Sequence, residues 1–199
     1  MVSGARPESD PKRDEAFRRE LVALIPHLRA FARTLSGDPT GADDLAQDAM
    51  LKAWDARGSF QMGTNMKAWT FMILRNQFYS EKRRSWRQSQ LDQDAAERTL
   101  VAVDDPEAPV ALDELRLGLG MLPVEQREAL ILVGAGGFAY EEAAAICDCA
   151  VGTVKSRVSR ARRALQGILE SGSYRRDGRS AGEAMNSILA DAERLSSIK

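Results

Sequence analysis

The stretch VGTVKSRVSRARRAL, residues 151–165, admits very few folds. Laid out at 100° per residue, Val154, Val158, Ala161, Leu165 and Ile168 gather in one narrow apolar arc, the stripe that an amphipathic helix buries. Lys155, Arg157, Arg160, Arg162 and Arg163 fall on the remaining arc with Ser156 and Ser159, and no acid interrupts them. A solvated helix face ordinarily mixes both signs to gain i,i+4 pairs. An unmixed cationic face with hydroxyl donors on each turn suits a phosphate backbone instead. The segment is therefore expected to be a helix that packs on one side and meets nucleic acid on the other.

The formal net charge of −1 taken alone argues against that partner, but the average hides segregation along the chain. From Arg75 to Arg87 the cations Arg75, Lys82, Arg83, Arg84 and Arg87 face Glu81 alone, while Asp92 to Glu114 carries eight acids against Arg98 only. Two basic modules joined by an acidic tether are the arrangement expected of a chain that touches two places on one nucleic acid. No apolar run approaches the roughly 18–20 residues of a membrane helix, and the start MVSGARPESDPKRDE has no apolar signal core, so a cytoplasmic protein without membrane contact is expected. Cys147 and Cys149 are too close for an ordinary disulfide framework and too few for zinc, which takes about four ligands. They read as small buried hydrophobes. With His27 as the single histidine, no nucleophile beside a base and no phosphate-binding glycine loop, an enzyme, a cofactor and a metal are not expected.

Periodicity finds helices and no strand. Leu21, Leu24, Ile25, Leu28, Phe31, Ala32 and Leu35 recur at three- and four-residue steps, with Pro26 marking a kink or boundary and Gly37-Asp38-Pro39 a stop. A second helix, about 41–57, buries Leu45, Ala49, Ala53 and Trp54. GSFQMGTNM reads as a loop, and a third helix from Lys67 to about Arg87 takes Trp69 into the core while leaving Arg75, Asn76 and Tyr79 available. Leu112 to Leu122 closes at Pro123, EQREALILV runs to GAGG, and YEEAAAIC, a short turn and the opening helix make a helix-turn-helix. The expected fold is all-α: two small helical domains, 17–88 and 111–170, joined by a flexible acidic linker over 89–110. A disordered N-terminus over 1–16 and a tail over 171–199 with one short amphipathic segment flank them.

DDLAQDAMLKAW, TNMKAWTFMILRNQFYSEKRR and YEEAAAICDCAVGTVKSRVSRARRAL, in that order, resemble the polymerase-binding helix, the promoter-melting helix and the domain-four helix-turn-helix of bacterial sigma factors of the extracytoplasmic-function type. The resemblance covers about residues 17–170. RNQFYSEKRR with LPVEQREALILVGAGGFAYEEAAAI looks like the general-stress subgroup of alphaproteobacteria, in which a small anti-sigma protein of the NepR type is released by a response regulator carrying a sigma-like domain. The sequence departs from the usual pattern at Ala139 and Ala150, where Ser or Thr caps each helix, and at Asp148, where the turn usually holds Gly.

What the resemblance implies can be placed residue by residue. Asp44, Gln47 and Asp48 with Lys52 would meet the clamp helices of the polymerase β′ subunit, and domain four the β flap. Phe60, Asn65 and Met66 would line a pocket for the minus-ten strand, with Lys67, Arg75, Asn76, Tyr79, Lys82, Arg83 and Arg84 meeting its bases and phosphates. Thr153, Lys155, Ser156, Arg157 and Arg160 would reach bases or adjacent phosphates of the minus-35 duplex, and Arg162 and Arg163 its backbone. Both basic faces would also suit an anti-sigma protein that draws the two domains together. Two rivals stand beside this reading: a stand-alone helix-turn-helix regulator that binds duplex DNA without polymerase, and a decoy that only engages an anti-sigma factor.

Overall fold

The computed structural model describes residues 10–37, 39–89 and 110–172, and these form helices, turns and loops without a strand. The helices are α1 (Pro11–Ala23), α2 (Ile25–Ser36), α3 (Pro39–Asp55), α4 (Met66–Ser89), α5 (Val110–Gly120), α6 (Val124–Gly134), α7 (Tyr140–Cys147) and α8 (Val151–Ser171), with a single 3-10 turn at Arg57–Ser59. Ser89 and Val110, the ends of the expected linker, belong to α4 and α5; residues 90–109, the C-terminal amphipathic segment and the first nine residues lie outside the described residues.

The N-terminus differs from expectation. Residues 11–16, expected to be part of a disordered N-terminus, are the first turns of α1. Asp10 accepts from the Lys12 amide and Pro11 opens the helix, an arrangement that satisfies an orphan donor and presets φ. Two side chains then fasten those turns to the body. Arg13 Nη2 donates to the carbonyls of Arg57 at 3.3 Å and Phe60 at 2.9 Å, and Asp14 pairs with Arg57 Nε at 3.1 Å. Phe17 completes the attachment by sinking among Trp54, Phe60 and Trp69. The break between α1 and α2 falls at Leu24, just ahead of Pro26, so the proline marks a boundary rather than an internal kink.

Apolar packing joins the two halves. One cluster runs from Leu28, Phe31 and Leu35 of α2 through Leu45 and Ala49 of α3 and Phe71 and Leu74 of α4. It continues into Ala129 and Leu132 of α6, Phe138, Ile146 and Cys147, and Val154 and Val158 of α8. Each fully buried Leu, Val or Phe in it contributes roughly 1.5–3 kcal/mol of transfer free energy. Phe71 lies between Phe31, stacked at 4.7 Å, and Phe138, edge-on at 5.1 Å, so its ring belongs to both halves at once. Arg127, 4% exposed, adds a polar tie: its guanidinium donates to the Gly120 carbonyl at the end of α5 and to the Leu35 carbonyl near the end of α2.

Local chemistry shapes the helix-turn-helix. Asp148 adopts φ 49° in the turn, the left-handed conformation that Asp tolerates better than most residues. No side chain caps α7 or α8, since Ala139 and Ala150 offer no acceptor; Glu142 supplies half a capping box by accepting from the Ala139 amide at 2.9 Å. Gly118 lets α5 approach α8, because a Cβ there would lie 2.9 Å from Leu165 Cδ1.

Candidate nucleic-acid interface

Helix α8 divides as its sequence predicts. Val154, Val158 and Ala161 are buried, Lys155, Ser156, Arg160, Arg162 and Arg163 are exposed, and Thr153 and Arg157 lie at the margin. Among the described residues none of the five cations is paired with a carboxylate. Arg160 donates to Ser156 one turn back, Lys155 lies over the Tyr140 ring at 5.6 Å, and Arg157 Nη1 reaches Cys149 Sγ at 3.9 Å. The result is a solvent-facing strip of positive charge on a rigid helix whose opposite face is locked into the core.

Helix α4 behaves differently, and here several expectations need correcting. Asn76, Lys82, Arg83 and Arg84 are exposed as predicted. Arg75 and Tyr79 are not available: they turn toward α6, where Arg75 Nε donates to Glu128 Oε1 at 2.6 Å and the Tyr79 hydroxyl to Glu128 Oε2 at 3.2 Å. Lys67 Nζ donates to the Gly136 carbonyl at 2.7 Å and lies over the Phe138 ring, while Asn65 Nδ2 donates to Glu142 Oε1 at 2.7 Å. The reason lies in the helical repeat. Phe71, Arg75, Phe78 and Tyr79 share one side of α4, and burying the aromatic part of that stripe carries the cation in with it.

Phe60 and Met66 also depart from expectation. At 3% and 5% exposure they fill a second core with Phe17, Leu21 and Ala53 instead of lining a pocket. They anchor the two ends of a loop whose exposed part is Gln61, Gly63, Thr64 and Asn65; Asn65 Oδ1 accepts from the Ala68 amide and so caps α4. Trp69 packs on Phe17 and Phe60, in keeping with its reading as core.

On α3, Asp44, Gln47, Asp48 and Lys52 are all exposed along one face, with Leu51 beside them at 64% exposure. Lys52 also reaches across to the Gln77 side-chain oxygen, placing it on the rim of an open groove of ≈ 450 Å³ between α3 and α4. Asn76, Ser80 and Arg83 form the other rim, which brings one predicted polymerase contact and two predicted promoter contacts together.

Sequence reasoning missed Glu128. It is fully buried, and burial pushes its carboxyl above the ordinary range while Arg75 and Tyr79 partly offset the shift. Burial likewise pulls on the Arg75 guanidinium, but the Glu128 carboxylate overcomes that pull and raises it. Burial holds the neighbouring Cys147 thiol up at about 12, which leaves it an inert small hydrophobe. A signal existed: Glu128 stands one turn before Leu132, on the apolar side of α6.

Comparison with known proteins places this geometry. Residues 21–88 match Sigma-70 region 2, and residues 112–165 match Sigma-70, region 4. The chain is 48% identical to the ECF RNA polymerase sigma factor EcfG of Rhodopseudomonas palustris over 155 residues, 78% of this chain and 86% of that one. It is 35% identical to the ECF RNA polymerase sigma-E factor of Escherichia coli over 143 residues, 65% of this chain and 73% of that one. Among solved structures, the sigma factor RpoE in complex with the anti-sigma factor NepR from Bartonella quintana superposes with a TM-score of 0.71 at 48% identity, covering 78% of this chain and 98% of that one. CnrH in complex with the cytosolic domain of CnrY gives 0.56 at 25% identity, covering 80% and 94%. No helix among the described residues is long and apolar enough to cross a membrane. An all-α chain that carries region 2 on α2–α4 and region 4 on α5–α8 belongs to the sigma-70 family and is an RNA polymerase sigma factor of the extracytoplasmic-function type.

Proposed function

We propose that this sigma factor reads a minus-35 element with α8 and holds an opened minus-ten strand on α4 and the loop before it, as the promoter-specificity subunit of a general stress response. The unmixed cationic face of α8, locked by Val154, Val158 and Ala161, carries the reading. Thr153, Lys155, Ser156, Arg157 and Arg160 lie early enough on the helix to meet bases or nearby phosphates, and Arg162 and Arg163 meet backbone. Asn76, Lys82, Arg83 and Arg84 offer a strand donors and cations, joined by Asn65, Lys67, Arg75 and Tyr79 once region 4 moves away. The exposed stripe Asp44, Gln47, Asp48 and Lys52 serves the β′ clamp helices, and region 4 the β flap. Bond formation belongs to the polymerase; the chain itself needs no cofactor, and that partnership places it in the cytoplasm.

Elements centred about 25 base pairs apart lie roughly 85 Å apart along the duplex at about 3.4 Å per pair. A chain bound to both elements has to part the two regions, so the shared core suits the chain before loading. The RpoE–NepR complex supports a NepR-type anti-sigma factor as the partner of that unloaded form. The test is reconstitution with core polymerase and run-off transcription from a promoter library. Transcripts starting downstream of one shared two-part motif are the expected result. Binding to duplex DNA without polymerase, and no transcript, would overturn the reading in favour of a stand-alone regulator.

A further inference from the structure

We infer that Glu128 is a built-in competitor for the promoter strand, so that the free chain holds itself shut before any anti-sigma protein arrives. The inference rests on the assignment of α4 to strand binding, and it stands on how region 4 occupies that helix. Its groups match, contact by contact, what a nucleic-acid strand would offer. The Glu128 carboxylate takes the place of a phosphate on Arg75 Nε at 2.6 Å and on the Tyr79 hydroxyl at 3.2 Å. The Gly136 carbonyl takes that of a phosphate oxygen on Lys67 Nζ at 2.7 Å. The Glu142 carboxylate accepts from Asn65 Nδ2 at 2.7 Å, as a base edge would. The Phe138 ring meets Phe71 edge-on at the same seam.

The chemistry of the seam makes the competition reversible. A purely apolar joint would leave Arg75 nothing to exchange. Here a buried ion pair lies at the centre, and a buried pair costs desolvation that its own attraction only partly returns. When region 4 swings away, Glu128 regains water and Arg75 exchanges one anion for another. Glu128 is 0% exposed and Arg75 14% exposed at the side chain, so a strand and region 4 cannot hold the guanidinium together. A partner protein that favours closure then works on an equilibrium the chain already sets.

The experiment uses the full chain without polymerase and a fluorescent single-stranded oligonucleotide carrying the minus-ten sequence of a promoter that the reconstituted holoenzyme transcribes. Wild type and Glu128→Leu are compared by oligonucleotide affinity and by radius of gyration from solution X-ray scattering, with circular dichroism as the check on folding. The expected result for Glu128→Leu is a larger radius and at least a tenfold gain in affinity, because every strand contact is intact and its competitor is gone. A folded variant with the radius and affinity of wild type overturns the inference, and so does one that opens without gaining affinity. If Glu128→Leu does not fold, Phe138→Ala decides the matter from the other side of the seam: a tenfold gain supports the inference and an unchanged affinity overturns it. Transcription by the wild-type holoenzyme is scored separately. A chain that transcribes but whose variants gain nothing loses the competitor and keeps its function.

Discussion

Helices α4 and α8 carry similar runs of arginine and lysine, yet the structure treats them differently. On α8 the cations of the run are exposed except Arg157, which lies at the margin, because the apolar positions recur strictly at three- and four-residue steps and leave a single wide polar arc. On α4 the apolar residues spread farther round the helix. Phe71 and Leu74 face a different neighbour from Trp69, and Arg75, one turn beyond Phe71, is carried toward Glu128 of α6. A helix with one apolar stripe announces its ligand face; a helix with two does not. Charge alone therefore locates the face proposed to read duplex, whereas the face proposed to hold the strand depends on what the rest of the chain does with α4's second face.

The sharpest way to break the comparison is to ask whether the halves unfold as one. Leu28→Ala in α2 and Leu132→Ala in α6 each empty a fully buried site in the shared core and should cost about 2–5 kcal/mol. Both are expected to move the same single transition in urea. Two transitions, each moved by only one variant, would separate the halves. Next in size, Arg157→Ala should cost about 1–3 kcal/mol of binding and relax one position of the minus-35 element, while Arg162→Ala should weaken all sequences alike and lower the salt slope by about 1. Uniform weakening by Arg157→Ala across a panel of minus-35 variants would move Arg157 to the backbone class. A smaller effect is expected from supplying the missing cap: Ala150→Ser should raise the denaturation free energy by about 1 kcal/mol. An unchanged midpoint would mean that the start of α8 is already satisfied.

The smallest effect concerns pH. Glu128 is faced by Arg75 and Tyr79 from α4, Cys147 from α7 and Arg157 from α8, and its carboxyl lies above the unfolded value of 4.5 through burial. A carboxyl raised in the folded state contributes stability that is fully present below the unfolded value and is lost as pH rises through the folded one. The stability of wild type relative to Glu128→Gln should therefore fall as pH is raised from 4.5 and then level off. A difference that grows with pH would show that Arg75, not burial, governs the site.

The helices and the helix-turn-helix were legible because their cause is local. Apolar spacing marks α2, α3 and α8, glycine and proline mark the stops, and even Asp148 in the turn could be anticipated from its conformational tolerance. The first turns of α1 were missed although a start signal was present, Asp10 before Pro11, with Phe17 as anchor. Phe60 and Met66 were misread because a loop rich in Gly and Asn looks exposed throughout, although its apolar ends are its fastenings. The seam between the regions was out of reach. Arg75 finds Glu128 53 residues away and Tyr79 finds it 49 away, and no periodicity within either helix encodes that meeting.

The shared core has a consequence for how long such a chain lasts in a cell. Parting the two regions uncovers Phe71 and Phe138 together, along with the faces of α6 and α7 that pack on α2 and α4. Apolar surface of that kind invites association and protease attack. An opened chain would need a partner to cover that surface, whereas a closed one covers it by its own packing. Copies that open away from polymerase are the ones expected to be removed first, so turnover itself would trim unscheduled transcription.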